Sequence, residues 1–195
     1  MLRRNLLVSV AVAAVCAVFG SCGSDDYTYS NIHCNLLIDN STHQDPTLAS
    51  AMNPMSPGVF CRISYDAATK SYAFTSNQGM SSRSVFDAKD TERGNSGHIG
   101  MNNGLYVGYG NLSTNDAGGY AFYAYDAQCP NCFDYNAIPM RSYPLTVNSA
   151  GVATCANCKR EYNMNTGGYC TNNTGRGLTL YRATTQGPLG ILFVN

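Results

Sequence analysis

Apolar residues recur along the chain in short bursts in which apolar and polar positions alternate. Each burst has the length of a β-strand, and polar turn residues separate most of them. The bursts cover residues 32–38, 59–65, 72–74, 105–109, 120–125, 145–147, 178–181 and 191–194. This pattern predicts an all-β fold.

Two stretches depart from the strand pattern. In residues 45–52, Asp45 stands at an N-cap position and Pro46 at a first-turn position, so we expect one short helix at most. Residues 76–103 are rich in Ser, Gly, Asn and charged residues and have little apolar pattern. They predict a long surface excursion, which is either a functional loop or a mobile one.

The first 21 residues have the three parts of a secretory signal peptide. Arg3 and Arg4 give a basic start, residues 5–19 are apolar and almost uncharged, and Gly20 and Ser21 are small residues before a cut site. The apolar stretch is shorter than the roughly 20 residues that a membrane-spanning helix needs. We therefore expect residues 1–21 to be removed.

The residues that end at Cys22 resemble the lipobox of bacterial lipoproteins. This resemblance implies that Cys22 becomes the first mature residue, carries acyl chains such as palmitate and anchors the protein to a membrane. Residues 22–30 include Asp25 and Asp26 and resemble the acidic export signal of lipoproteins from Bacteroides-type bacteria. That implies an outer-membrane lipoprotein on the cell surface; a solvated acidic linker is the alternative.

Composition narrows the function of the remaining chain, residues 31–195, which we expect to form one β domain. The formal net charge is +0 and charged residues make up 12% of the chain, so nucleic acid is excluded as a partner. No motif supports an enzyme, and the charged run of Asp87, Asp90 and Glu92 is interpreted as solvated loop. A protein or glycan partner stays unknown.

Cysteine usage points to a metal site. The chain has 9 cysteines, and without Cys16 in the signal and Cys22 at the lipid an odd number remains, so disulfides alone cannot use them all. Four of them form two C-x-x-C units, which we call the knuckles: Cys129 with Cys132, and Cys155 with Cys158. A two-residue gap lets a tight turn point both sulfurs at one ion, and two such knuckles match tetrathiolate zinc sites.

The competing interpretation of the knuckles is disulfide bonding, because an exported protein meets oxidising conditions. Thiolates also suit iron, but Phe133 and Lys159 follow the knuckles where iron-binding knuckles usually have glycine, which favours zinc. Cys34 and Cys61 lie in separate strand-like segments and are expected to form a disulfide, with buried free thiols as the alternative. Cys170 is left open as a free, bridged or ligating residue.

From about Leu105 onward the chain resembles the Rieske fold. The elements that carry the resemblance occur in order: residues 120–126 before Cys129-Pro130, residues 151–154 before Cys155, Glu161-Tyr162-Asn163, Gly167-Gly168, and residues 178–181. More closely, the mature chain resembles Rieske-like lipoproteins of Bacteroides-type bacteria. The resemblance implies an antiparallel β-sandwich in which the two knuckle loops meet at one tip.

The chain departs from the Rieske pattern at the ligands. Cys132 and Cys158 stand at or near the positions of the two histidines that ligate a Rieske iron-sulfur cluster. The three histidines, His33, His43 and His98, all precede both loops and are interpreted as surface or turn residues. Three functions follow: an envelope lipoprotein with structural zinc, an iron electron carrier, or a metal-free, disulfide-stapled binding module.

Overall fold

The structure is a computed structural model that describes residues 29–32, 34–92, 99–113 and 119–195. The expected signal peptide, Cys22, most of the acidic linker, His33 and His98 lie outside the described residues. Among the helices that the structure describes, none combines the length and apolar character needed to cross a membrane.

The described residues form short strands joined by turns, together with a few one- or two-turn helices, which confirms the predicted all-β class. The helices are α1 (Asn40–His43), α2 (Pro46–Ala51), α3 (Ala88–Glu92) and the 3-10 helix η1 (Met164–Thr166). The strands are β1 (Leu36–Asp39), β2 (Phe60–Asp66), β3 (Ser71–Ser76), β4 (Ser81–Val85), β5 (Leu105–Ser113), β6 (Tyr120–Asp126), β7 (Leu145–Val147), β8 (Val152–Cys155), β9 (Glu161–Asn163), β10 (Tyr169–Cys170), β11 (Leu180–Tyr181), β12 (Ala183–Thr185) and β13 (Ile191–Val194).

These strands form three antiparallel sheets. The central sheet has six strands in the order β11-β6-β5-β2-β3-β4, and the others have the orders β1-β13-β12 and β10-β9-β8-β7. Side chains of the central sheet alternate between two cores, as period-two strands require. Cys61 and Val107 belong to a core shared with β1, β13 and α2, whereas Phe60, Tyr106 and Tyr125 belong to a core shared with β7, β8 and β9.

The helix predicted at residues 45–52 is confirmed. Pro46 is its first residue, and the Asp45 carboxylate accepts a hydrogen bond of 2.9 Å from the Leu48 N–H. The expectation of a single helix is wrong, because α1 and α3 also form. These extra helices have only four and five residues, too few to leave a periodic pattern in the sequence.

The expectation that residues 76–103 form a long surface excursion is also wrong. This stretch contains β4 and α3 and places Ile99 in the core. Strand β4 is the edge of the central sheet, and its side chains alternate between exposed and partly buried. Two of its serines, Ser82 and Ser84, lie on the partly buried side, where their hydroxyls contact the polar side chains of Asp45, Thr47 and His43. Hydrophobic alternation therefore could not reveal this strand.

Asp90 lies in a buried polar network, so the interpretation of its charged run as solvated loop is wrong. Its carboxylate is 3.1 Å from Nε2 of His43 and accepts hydrogen bonds from the Tyr72 hydroxyl and the Asp87 N–H, both at 3.0 Å. The Asp90 N–H in turn donates to the Asp87 carboxylate at 2.9 Å, which completes a capping box at the start of α3. The side chains of His43 and Asp90 are 2% and 1% exposed, so His43 is no surface histidine.

We predict that Asp90→Ala lowers the free energy of unfolding by roughly 3 kcal/mol, because the capping box, the contact with His43 and the tyrosine hydrogen bond are lost together. Denaturant unfolding measures the change. Glu92→Ala is the matched control on the same helix, where the side chain is exposed, and should change stability by less than about 0.5 kcal/mol. Equal effects of the two substitutions would contradict the buried network.

Candidate metal centre

The first knuckle lies in the loop that follows β6, and the base of this loop is closed by hydrogen bonds. The Asp126 carboxylate accepts from the Gln128 N–H at 2.7 Å, and Oε1 of Gln128 accepts from the Tyr143 N–H at 2.6 Å. The Cys129 N–H donates to the Tyr143 carbonyl at 2.9 Å. The two ends of the loop are therefore held side by side, with Cys129 at its start.

The second knuckle is the turn of the β8–β9 hairpin. Cys155 is the last residue of β8, and its N–H donates to the Arg160 carbonyl at 3.0 Å. The two knuckles share one backbone hydrogen bond: the Lys159 N–H donates to the Cys155 carbonyl at 3.0 Å, and the Phe133 N–H donates to the Cys129 carbonyl at 2.9 Å. Each turn therefore directs two thiols toward the other knuckle.

The four knuckle cysteines come together as the sequence predicted, and their sulfur atoms all lie within 4.8 Å of one another. Across the knuckles, the Sγ atoms of Cys129 and Cys158 are 3.7 Å apart, and those of Cys155 and Cys132 are 3.8 Å apart. A tetrahedral ion with metal-sulfur bonds of about 2.3 Å requires sulfur-sulfur edges of about 3.8 Å. The arrangement therefore fits one tetrahedral ion.

Polar groups around the sulfurs donate hydrogen bonds to them. The Tyr162 hydroxyl, 3.4 Å from Sγ of Cys129, itself accepts from the Asn131 side-chain amide at 2.9 Å, so its proton is directed at the sulfur. The Asn157 side-chain amide donates to Sγ of Cys132 at 3.3 Å. Such groups orient metal ligands and stabilise thiolates. The spacing of the cysteines gave no reason to single out these donors.

The surroundings of the knuckle thiols shift their pKa values in different directions. Burial raises the pKa of Cys129 to about 12, although the Tyr162 hydroxyl opposes this. Burial also raises the pKa of Cys132. At Cys158 burial acts in the same direction, but the N–H and the guanidinium of Arg160 outweigh it and lower the pKa to about 6. Arg160 thus favours a thiolate at the second knuckle before any metal arrives.

Lys159 has φ of 59°, a left-handed conformation that glycine adopts more easily. This residue follows the second knuckle, where the sequence pattern alone favours zinc over iron because glycine is absent. The backbone makes the turn regardless, and the Arg160 N–H reaches Sγ of Cys158. The missing glycine therefore does not discriminate between the two metals at this knuckle.

The other three cysteines that the structure describes do not belong to the four-sulfur group. Cys34 and Cys61 are buried free thiols in this structure, which matches the alternative and not the expected disulfide. Their surroundings differ: Sγ of Cys34 accepts from the Gly100 N–H at 3.4 Å, whereas Sγ of Cys61 is 3.5 Å from the Arg62 carbonyl. Cys170 is a partly exposed free thiol, 3.9 Å from the Asn172 side chain, and does not belong to the four-sulfur group.

A second group with metal-ligand chemistry consists of His43, Asp87 and Asp90. The capping box and the contact between His43 and Asp90 already account for the positions of its carboxylates. The Nδ1 atom of His43 is 2.7 Å from the Ser84 hydroxyl. We therefore assign this group a structural role in joining α1, β4 and α3.

Comparison of the chain with protein-family models, with curated proteins and with solved structures gives no match.

We predict that Tyr162→Phe weakens metal binding by roughly 10-fold or more, because Sγ of Cys129 loses a hydrogen bond that stabilises its charged form. Competition with a chromophoric chelator measures the affinity. The matched control is Tyr169→Phe, in which the same hydroxyl is removed from a ring that is 69% exposed. Equal affinities of the two variants would show that the Tyr162 hydroxyl does not support the site.

Proposed function

We propose that this chain is a membrane-anchored envelope lipoprotein whose β domain holds a structural zinc ion at Cys129, Cys132, Cys155 and Cys158. The observation that carries the proposal is the pair of sulfur-sulfur distances of 3.7 and 3.8 Å across the knuckles. A disulfide needs about 2.05 Å between its sulfurs, so these thiols are spaced for a shared ion.

A zinc ion in this position would connect two parts of the fold. The first knuckle continues from the central sheet through β6, and the second belongs to the four-stranded sheet through β8 and β9. Binding energy at such a site becomes folding energy, because the ion joins loops that are separate in the unfolded chain. A zinc ion with four cysteine ligands has no open coordination position for water or substrate, so it would stabilise the domain as a structural ion.

Charge compensation supports the same proposal. Four thiolates around a divalent ion leave a net charge of about −2. The nearby guanidinium of Arg160 lowers the pKa of Cys158, and the backbone of Lys159 belongs to the same turn. The Tyr162 and Asn157 side chains add neutral donors.

An iron electron carrier is the second candidate, and the exposure of the knuckles favours it. Cys129 and Cys155 are buried, but Cys132 and Cys158 are partly exposed, so an ion among them would lie near the surface, as electron exchange requires. The close grouping of the sulfurs suits one iron ion better than an iron-sulfur cluster, because bridging sulfides push apart the ligands of separate irons.

The Rieske-like fold and the lipid anchor belong to this proposal as well. In support of the fold, both cysteine loops follow antiparallel strands and lie side by side. The anchor is supported by the lipobox-like residues before Cys22 and by the acidic residues after it. An outer-membrane location, facing the cell exterior, is the corresponding proposal for localisation.

The metal proposal predicts one zinc ion per chain, and no visible colour, in protein purified without added metal or reductant. Cys155→Ser should lose the ion and unfold at a lower temperature, because one of four thiolate ligands is gone. Elemental analysis, an absorption spectrum and thermal unfolding measure these properties. Cys170→Ser is the matched control, since this thiol lies outside the four-sulfur group, and it should keep both the metal and the stability.

Other outcomes of the same measurement have definite meanings. One iron ion per chain, with visible absorption bands that bleach on reduction, would identify the protein as an electron carrier. Absence of any metal, together with fewer than seven reactive thiols in the mature chain, would reject both metal functions and leave the disulfide-stapled binding module.

The anchor proposal predicts that Cys22→Ser moves the expressed protein from the membrane fraction to the soluble fraction, because no acyl chain can be attached. Metabolic labelling with a fatty acid and fractionation of the cells measure this change. Cys16→Ser is the matched control within the expected signal peptide and should leave labelling unchanged. Labelling that persists in Cys22→Ser would rule out this lipidation site.

A further inference from the structure

The loop between the first knuckle and β7 carries apolar side chains that face solvent. Ile138 is 98% exposed, and Tyr135 and Met140 are 47% and 48% exposed. Pro139, between Ile138 and Met140, is exposed as well. We call these four residues the apolar tip. Single exposed apolar residues are common, but several on one loop mark a site that another apolar surface covers.

The hydrogen bonds described near the apolar tip are local. The Asp134 carboxylate accepts from the Asn136 N–H at 2.9 Å, and the Ala137 N–H donates to the Asp134 carbonyl at 3.3 Å. The loop is fastened to the domain at its base, where the Gln128 side chain bonds to Ser142 and Tyr143. The closed base therefore fixes where the loop begins and ends, while Ile138 stays in water.

The chain that leads from the expected lipid anchor enters the domain beside this loop. The Ser30 N–H donates to the Leu180 carbonyl at 2.7 Å, and Ile32 lines the same cleft as Tyr135. Ser30 stands eight positions after Cys22. An extended chain covers at most about 3.6 Å per residue, so a lipid on Cys22 lies within roughly 30 Å of Ser30. The membrane and the loop are therefore within reach of each other.

We propose that the apolar tip inserts into the surface of the lipid bilayer to which Cys22 is anchored, so that acyl chains cover Ile138 and Met140. This inference rests on the anchor in the proposed function. Tyr135 has an aromatic ring with a hydroxyl, which suits the boundary between acyl chains and water. Arg141 directly follows Met140 and is exposed, so its guanidinium is available to the phosphates of the lipid headgroups.

Insertion of the tip would determine which side of the domain faces the membrane. An acylated residue holds the chain near the bilayer but does not by itself orient the domain, whereas a second contact on another loop does. Tyr135 follows Cys132 by three positions. The four-sulfur group would therefore lie close to the lipid surface.

The test uses the absence of tryptophan from the chain, because a single introduced tryptophan then reports its own surroundings by fluorescence. Ile138→Trp places this probe in the apolar tip. The matched control is Leu112→Trp, at an apolar position that is 56% exposed. Leu112 lies near the end of β5, which pairs with the start of β6, whereas the knuckle loop follows Asp126 at the other end of β6.

Each variant is expressed as the full chain, and the mature protein is reconstituted into vesicles of phosphatidylcholine and phosphatidylglycerol. The acyl chains carry bromine, a quencher of tryptophan, just below the headgroups, and vesicles without bromine are the reference. Fluorescence is read from vesicles collected by flotation. We expect the Ile138→Trp emission to shift to shorter wavelength and to lose intensity in brominated vesicles. The Leu112→Trp emission should stay that of a probe in water.

A further variant tests the natural residues of the tip, because tryptophan itself favours membrane interfaces. Adding Tyr135→Ser and Met140→Ser to Ile138→Trp should reduce the quenching, since two apolar neighbours are lost. All of these positions are exposed, so metal content and melting temperature should match those of the unsubstituted chain.

Quenching at position 138 but not at position 112 supports the proposal. It is overturned by equal quenching at both positions, by quenching that persists in full without Tyr135 and Met140, or by no quenching at position 138. Fatty-acid labelling of the same samples separates this result from the anchor. Labelled protein that floats without quenching at position 138 overturns insertion and leaves the anchor, whereas quenching in unlabelled protein supports insertion and overturns the anchor. Protein that neither carries the label nor floats overturns both.

Discussion

The alternation of side chains along the central strands is the constraint on which the rest of the fold depends. Neighbouring residues such as Phe60 and Cys61, or Tyr106 and Val107, enter cores on opposite faces of the same sheet. Because both faces are buried, a register slip of one residue would exchange the contents of the two cores. The register therefore fixes where β6 ends and hence where the first knuckle begins.

The knuckle region combines parts of the fold that are distant in sequence. Cys129 is 29 residues from Cys158 and 33 residues from Tyr162, yet the three side chains meet. The core beneath them is aromatic and aliphatic, with Tyr125, Leu145 and Tyr162 buried. Apolar surroundings discourage charged thiols, so the donors from Tyr162, Asn157 and Arg160 matter for any ion bound there.

The buried carboxyl of Asp126 connects several elements near the first knuckle. Asp126 accepts hydrogen bonds from the Tyr181 hydroxyl and from the Met101 and Gln128 N–H groups, yet burial still raises the pKa of its carboxyl. Its oxygens hold β6, β11 and the start of the first knuckle loop together.

Local sequence patterns identified eight of the thirteen described strands, one helix and the two knuckles. Alternation placed β2, β5 and β6, the Asp45-Pro46 pair marked the start of α2, and the repeated C-x-x-C spacing identified the four cysteines that meet. These features are encoded by residues a few positions apart, so periodicity and turn chemistry are sufficient to find them.

Only the tertiary structure decided the features that depend on distant neighbours. The polar edge strand β4 forms because β3 pairs with it, and His43 is buried because Asp90 approaches from 47 positions away along the printed chain. The left-handed turn at Lys159 and the free thiols of Cys34 and Cys61 likewise follow from packing and not from local propensity. Propensity describes a residue's own backbone, whereas burial and hydrogen bonding depend on what the fold brings beside it.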